Sequence, residues 1–456
     1  MRIMNRLQSR AVRLAAAGLV LAVGACSFDE VLSVQNPDEL PEDALENNPS
    51  FISVLVNGVK GDYAAALDDP FIWRGSMFTD ETLTGINWEQ TARLNERIVQ
   101  YDEGDADLMF SQISRALAQA DSVSGRIRNL SENPSSDDRL ALTLAYAGYS
   151  YIMLADAMCK ATVKTGDVIY PDTALYQFAV DRFTEALDIA TAAGEEDLEN
   201  FINVGLTRAY LNLANYSKVM EIAPSVPGDF RWYAEYKEPE VENALAGFTQ
   251  GSNHALSVHP HFLASPENYG SDTYDMTPDL TDPRVQHDPK YRLGHNQLTR
   301  IYTPFAPLMW ETYNGETIAS GGSPSDLRES INDGADIAFA SGLEAQHNLY
   351  EAMDAVGGND GAVLDFVNER RAFGNQAAVA LSGDELTMEL RDQRGRDLFL
   401  AGYRLGDLRR WLRGDDDMFP SGQHPVTEWG NYGDATCFPL PLSEYEGNPN
   451  INNPNT

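Results

Sequence analysis

Positive charge, cysteine and histidine are all scarce in this 456-residue chain, which sets 33 Lys and Arg against 69 Asp and Glu and holds three Cys and seven His. A formal charge of −36 repels nucleic acid and anionic membrane surfaces, and so argues against both as partners. No CxxC pair occurs, which excludes a zinc site of thiolates. GxSxG, HExxH and phosphate-cradling glycine loops are missing as well, so no catalytic motif stands out and no cofactor is implied. What is present is a hydrophobic fraction of 43% with 10% aromatics, the make-up of a globular chain with a large core.

Long apolar runs are few. The first, "LAAAGLVLAVGAC" (14–26), follows "MRIMNRLQSRAVR", which carries four arginines and no acid. A basic n-region, a short h-region and small residues before a cut predict a secretory signal over residues 1–25 rather than a membrane span. Its end, Val23-Gly24-Ala25-Cys26, resembles the lipobox of bacterial lipoproteins, making Cys26 the expected lipidated residue of an exported chain. Cys159 and Cys437 are left to form one disulfide or to lie free and buried.

The second run, "RLALTLAYAGYSYIMLADAMC" (139–159), is broken by Thr143, Tyr146, Tyr149, Ser150, Tyr151 and Asp156. Ala141, Ala145, Gly148 and Ala155 recur at helical spacing, which suits close helix packing in a core. Ser or Asp within 135–137 is placed to cap this helix. Residues 171–194 carry another apolar stripe ending at Gly194. Leu206, Tyr210, Leu213, Tyr216 and Val219 follow at steps of three or four, broken by Asn215. Helices of this kind over about 136–222 resemble tetratricopeptide pairs and predict a helical platform. From about 224 to 330, Pro, Gly, Asn, Asp and Ser replace any period, yet scattered aromatics, Trp232 and Tyr233 among them, argue for loops packed on a scaffold. Helical pattern returns over about 325–373 and 382–413.

The second of these stretches ends in "RDLFLAGYRLGDLRRWLRG" (396–414), with five arginines in nineteen positions. Ser382 and Glu385 have the spacing of a capping box, predicting a helix start near Gly383 and a stop at Gly414. Asp392 lies four before Arg396, Asp407 lies three after Arg404 and three before Arg410, and Trp411 can lie under a guanidinium. The arginines are therefore expected to bind the protein's own carboxylates and carbonyls, making the stretch structural.

"QRGRDLFLAGYRLGDLRRW" also resembles the C-terminal signature of the SusD/RagB family of outer-membrane nutrient-binding lipoproteins. Arg394, Leu398, Gly402, Arg404, Asp407, Leu408, Arg410 and Trp411 match that signature, while Gln393, Asp397 and Ala401 replace its glutamates, the mark of a divergent member. "FVNERRAFGN" upstream, "CFPLPLSEYEGNPNINNPN" downstream and "TDPR" at 281–284 follow the family's order, and "ADIAFASGLEA" is a degenerate form of another of its segments. The resemblance implies a mostly α, SusD-like fold: a single domain over 26–456 with tetratricopeptide-like helices, a loop-rich ligand region at about 224–330 and signature helices at about 330–456. It also implies a surface-exposed lipoprotein, held to the outer membrane by its N-terminal lipid alone. Such a protein binds a nutrient, an oligosaccharide first among the candidates, and passes it without catalysis to a SusC-like TonB-dependent β-barrel transporter. An exported tetratricopeptide-type scaffold for protein partners and a secreted glycan hydrolase are the alternatives.

Two stretches combine indoles with amides and lack helical period: "FIWRGSMFTDETLTGINWEQ" (71–90) and "PLMWETYNGE" (307–316). Flat indoles stack on the C–H faces of sugars, so Trp73, Arg74, Asn87, Trp88, Trp310, Tyr313 and Asn314 are the candidate ligand contacts, though core packing explains any one Trp equally well. Trp88 and Trp310 are expected to share one shallow groove, with Asn87, Tyr313 and Arg74 at its edge. "HPH" at 259–261, with His254 nearby, reads as polar loop histidines rather than a metal site. Asp80-Glu81 has the look of a glycosidase pair, but acids are too abundant for that to carry weight.

Overall fold

A computed structural model describes residues 48–164, 166–237, 241–249, 255–263, 282–288, 291–307, 309–311 and 334–452. The signal segment, Cys26, His254, Tyr313 and Asn314 lie outside the described residues. In chain order the elements begin with α1 (Ile52–Ala66), α2 (Trp73–Phe78), β1 (Thr82–Thr84), α3 (Glu89–Leu94), α4 (Gly104–Leu130) and α5 (Asp138–Ala157). Then come β2 (Lys160–Ala161), β3 (Tyr170–Pro171), α6 (Asp172–Ala193), α7 (Glu196–Asn212), α8 (Tyr216–Ile222), β4 (Arg231–Ala234), α9 (Ala244–Thr249) and β5 (Leu256–Val258). The hairpin strands β6 (Arg292–Leu293) and β7 (Arg300–Ile301) lead to β8 (Trp310–Glu311), β9 (Asp336–Ser341) and α10 (Gly342–Val356). The chain closes with α11 (Asp360–Phe373), α12 (Asp384–Asp397), α13 (Arg404–Arg413) and α14 (Leu442–Gly447).

Helices dominate, and α4 to α7 pack each on the next to form the platform. Asp137 caps α5 by accepting from the Arg139 amide, and Gly194 ends α6 in the left-handed region at φ 75°. The close approach foreseen from small residues centres on one ring. A Cβ on Gly148 would lie 2.7 Å from the Phe183 ring, and one on Gly205 2.4 Å from it. Tyr149 stacks on Phe201 at 4.6 Å, and Phe201 on Trp232 at 4.4 Å, so the platform's core continues into β4. That strand joins the antiparallel sheet β4-β9-β8. The described part of the region read as irregular thus holds several short strands. They escape a periodic search because a strand of two to four residues presents hardly one alternation.

Cys159 and Cys437 form a disulfide, beside which the Cys159 amide donates to the Phe438 carbonyl at 2.9 Å. The end of α5 is thereby tied to the C-terminal segment.

The expected single helix over 382–413 is two helices. Leu400 (φ 50°) and Gly402 (φ 84°) turn the chain between them, and a Cβ on Gly402 would press to 3.1 Å from Phe71. Gly383, with φ 57°, occupies the cap of α12, so Ser382 does not cap it. The turn brings each arginine to an oxygen. Arg404 binds Asp80 through two bonds of 2.6 Å rather than Asp407, the partner its spacing suggested. Asp407 instead accepts from Arg394 at 2.7 Å and pairs with Arg410 at 2.8 Å. Burial alone would raise the Asp407 carboxyl, but these two guanidinium groups hold it below its usual value. Arg410 also grips Glu351 with bonds of 2.9 and 2.8 Å, and the Trp411 indole donates to the same carboxylate. Arg409 donates to the carbonyls of Ala155, Asp156 and Met158, the orphan acceptors at the end of α5. Arg396 reaches Asp392 at 2.7 Å, as its spacing predicts.

Candidate functional site

The site grows from the kink that follows α1. Asp68, Asp69 and Pro70 interrupt the helix, and α2 then carries Trp73 and Arg74 inward. Trp73 is fully buried, stacked on Phe248 of α9 at 3.6 Å with the rings 15° apart. Arg74 lies over the Trp73 ring and donates to Asp105 at 2.6 Å, pairing also with Asp69. Thr91 donates to the same Asp105 carboxylate at 3.0 Å. Both candidate contacts are therefore interior supports. Arg74 read as a free polar group because its partners, Asp69 and Asp105, lie outside the 71–90 stretch.

Trp88 stands on that support. It occupies the cap of α3 and is 56% exposed, with its ring edge-on to Trp73 (6.4 Å, 82°) and to Phe248 (6.3 Å, 87°). Asn87 beside it is exposed. Chain direction here is fixed by β1, which pairs antiparallel with β5, and by the Gly85 amide, which donates to the Ala255 carbonyl at 2.7 Å.

The β6–β7 hairpin closes on the same turn. The Asn296 amide donates to the Gly85 carbonyl at 2.9 Å, and a Cβ on Gly294 would lie 2.5 Å from the Gly85 Cα. Thr299 adds a bond to the Thr84 carbonyl at 2.8 Å. This contact sets the hairpin, with exposed Leu293 (51%), His295, Gln297 and Leu298, against the Thr84–Gly85 turn that precedes Trp88 in the chain. Those residues were not foreseen. "RLGHNQLTR" does hold a Gly-His-Asn-Gln turn between two short extended pairs, the one local signal that could have found them. The result is an indole shelf on an aromatic base, with exposed Asn87 beside it and the polar hairpin packed on the turn that leads to it. Stacking against a flat, hydroxyl-edged ligand is the chemistry such a surface performs.

Trp310 is elsewhere. It is 1% exposed, and its indole donates to the Leu400 carbonyl at 2.9 Å. Pairing of β8 with β9 carries it into the core, so it shares no surface groove with Trp88. Tyr313 and Asn314 cannot be joined to the shelf, since they fall outside the described residues.

Other chemistry resolves into structure. Asp80 is tied to Arg404, and the Glu81 carboxylate accepts from the Leu400 amide at 2.9 Å, so this acidic pair faces inward. Burial pushes the Glu81 carboxyl up to about 8. His259 meets the Tyr432 hydroxyl at 3.1 Å and His261 meets Asp392 at 3.1 Å. Among the described residues no group of three or more His, Cys, Asp or Glu is placed to hold a metal ion, and no helix is long and apolar enough to cross a membrane.

The chain matches no protein-family model and no curated protein. Its similarity is to solved structures. A SusD-like protein from Bacteroides fragilis superposes with TM-score 0.63 at 13% identity, covering 91% of this chain and 98% of that one. A SusD-like carbohydrate binding protein from the same species gives 0.63 at 14%, covering 90% and 100%. A SusD homolog from Bacteroides thetaiotaomicron gives 0.62 at 13%, covering 89% and 98%. At such identities the likeness establishes the fold: this chain has the mostly helical SusD-like fold, over nearly the whole length of these proteins.

Proposed function

We propose that this protein is a lipid-anchored outer-membrane lipoprotein, facing the cell surface, that binds an oligosaccharide and hands it without turnover to a SusC-like TonB-dependent transporter. The observation that carries the reading is the Trp88 shelf, an exposed indole on a stacked Trp73–Phe248 base within a SusD-like fold. Solved proteins of this fold include one described as SusD-like carbohydrate binding, which supports a sugar as the ligand class. The Cys159–Cys437 disulfide fits an exported chain, because such bonds persist in oxidising compartments. Cys26, at the end of the signal-like segment, is the residue that would carry the lipid.

A glycan array tests the ligand class. The chain lacking residues 1–26 is expected to retain one family of oligosaccharides, and retention of peptides alone would contradict the reading. Full-length protein grown with radiolabelled palmitate is expected to take up label, and Cys26→Ala to lose it along with outer-membrane sedimentation.

A further inference from the structure

Away from the shelf, the described residues hold a concavity of about 640 Å³, within the usual ~300–1,000 Å³ of small-molecule sites. It opens where the platform meets β4. Trp232 and Tyr233, successive residues of that strand, both line it. In a regular strand they would face opposite sides, but the β4–β9 register shifts between them, opposite Phe339. Both rings are half-buried, and Trp232 is braced from behind by Phe201 at 4.4 Å and by the Tyr146 hydroxyl.

Charged groups of both signs surround the rings. Lys60, Arg231 and the Asn200 amide can donate, while Glu196, Asp197, Asp229 and Glu235 accept. A simple anion would meet four carboxylates and a simple cation would meet Lys60 and Arg231. Hydroxyl groups both donate and accept, so a polyol ring satisfies the mixed rim while its C–H face covers an aromatic platform. The walls are pre-formed. The loop bearing Asp229 is clamped where a Cβ on Gly342 would lie 1.9 Å from the Pro227 carbonyl oxygen, and the Gly342 amide donates to the Phe230 carbonyl at 2.9 Å. None of the lining residues belongs to the Trp88 shelf.

We infer that the Trp232–Tyr233 cleft is a second oligosaccharide-binding site, independent of the shelf. The inference rests on the sugar-binding reading above for its ligand class. The test uses a panel of pentasaccharides cut from α-glucan, β-glucan, xylan and mannan, titrated calorimetrically into the chain lacking residues 1–26, with trilysine as the competing probe.

The strongest-binding pentasaccharide is expected to show two binding events. One should weaken about tenfold or more in Trp88→Ala. The other should weaken about tenfold or more in Tyr233→Ala and in Asp229→Asn, neither of which removes the Trp232 stack from the core. A single event, weakened about tenfold or more in Trp88→Ala and untouched by both cleft variants, would overturn the second site and leave the proposed function standing. Failure of every pentasaccharide to bind the unmodified protein would overturn both. Trilysine binding that Asp229→Asn removes, with no sugar taken there, would make the cleft a peptide site and overturn the inference.

Discussion

Around α13 and around Trp88 the chain uses similar materials, indoles beside polar and charged groups, to opposite ends. From Arg394 to Arg413 every guanidinium meets a protein oxygen, and Trp411 is buried among them with Arg404 and Arg410 over its ring. At the shelf only the lower layer is committed in this way: Arg74 is tied to Asp105, and Trp73 is stacked on Phe248. The upper layer, Asn87 and Trp88, is open to water. Buried charge is stabilised only when it is paired, and each guanidinium of the arginine turn is already engaged by an oxygen of the protein. Its work is to hold Asp80, Glu351 and the end of α5 in place.

Breaking the arginine turn should produce the largest effect. Asp407→Ala leaves Arg394 and Arg410 facing a cavity, and about 3–5 kcal/mol of stability should be lost, as when one partner of a buried pair is removed. Denaturant melts read it directly. An unchanged midpoint with lost ligand binding would reverse the roles assigned to the two regions.

Next comes the disulfide that ties α5 to the C-terminal segment. Cys159→Ser with Cys437→Ser should cost about 2–5 kcal/mol, and reducing agent should reproduce that loss in the unmodified protein. Insensitivity of the melt to reductant would show that the thiols are not joined in solution.

A smaller effect sharpens the comparison through pH. The Glu81 carboxyl is raised to about 8, chiefly by burial, with the Leu400 amide and Arg404 opposing. Its folded value exceeds its unfolded one, so its contribution is full below about pH 4.5 and is lost as pH rises through about 8. Glu81→Gln keeps an acceptor for the Leu400 amide and removes the titration. The variant should therefore gain on the unmodified protein between about pH 5 and pH 9, by on the order of 1–3 kcal/mol. Parallel melting curves across that range would count against a buried, protonated Glu81.

The two regions also differ in how far the sequence alone discloses them. Contacts within one helical turn could be read: the Asp137 cap, the Gly194 stop, Asp392 with Arg396 and Asp407 with Arg410 all lie within a few residues of each other. Arg404 could not be assigned correctly, because its partner Asp80 is 324 positions away. The break at Leu398–Tyr403 was hidden for the same reason: the apolar stripe runs on through it, and the demand for a turn comes from Phe71, Glu81 and Trp310.

At the shelf, composition located the right stretch but could not sort its members. Trp73 and Trp88 share polar surroundings in sequence, and only the stack on Phe248 decides which indole is floor and which is surface. Trp310 sat in an equally polar stretch and was expected to partner Trp88, yet it donates to Leu400 in the core. The β6–β7 hairpin was missed because its strands are two residues long.

The smallest expected change in stability belongs to Trp88→Ala, the variant that removes the shelf's one exposed indole. Measured beside Trp310→Ala by thermal melting and by calorimetric titration with the oligosaccharide retained on the array, the two variants should separate cleanly. Trp88→Ala should melt within about 0.5 kcal/mol of the unmodified protein, as surface substitutions do, while its affinity at the shelf falls tenfold or more. Trp310→Ala should lose about 3–5 kcal/mol of stability, with the folded fraction binding as before. Full affinity in Trp88→Ala, or intact stability with lost binding in Trp310→Ala, would contradict the assignment of the shelf as the ligand surface.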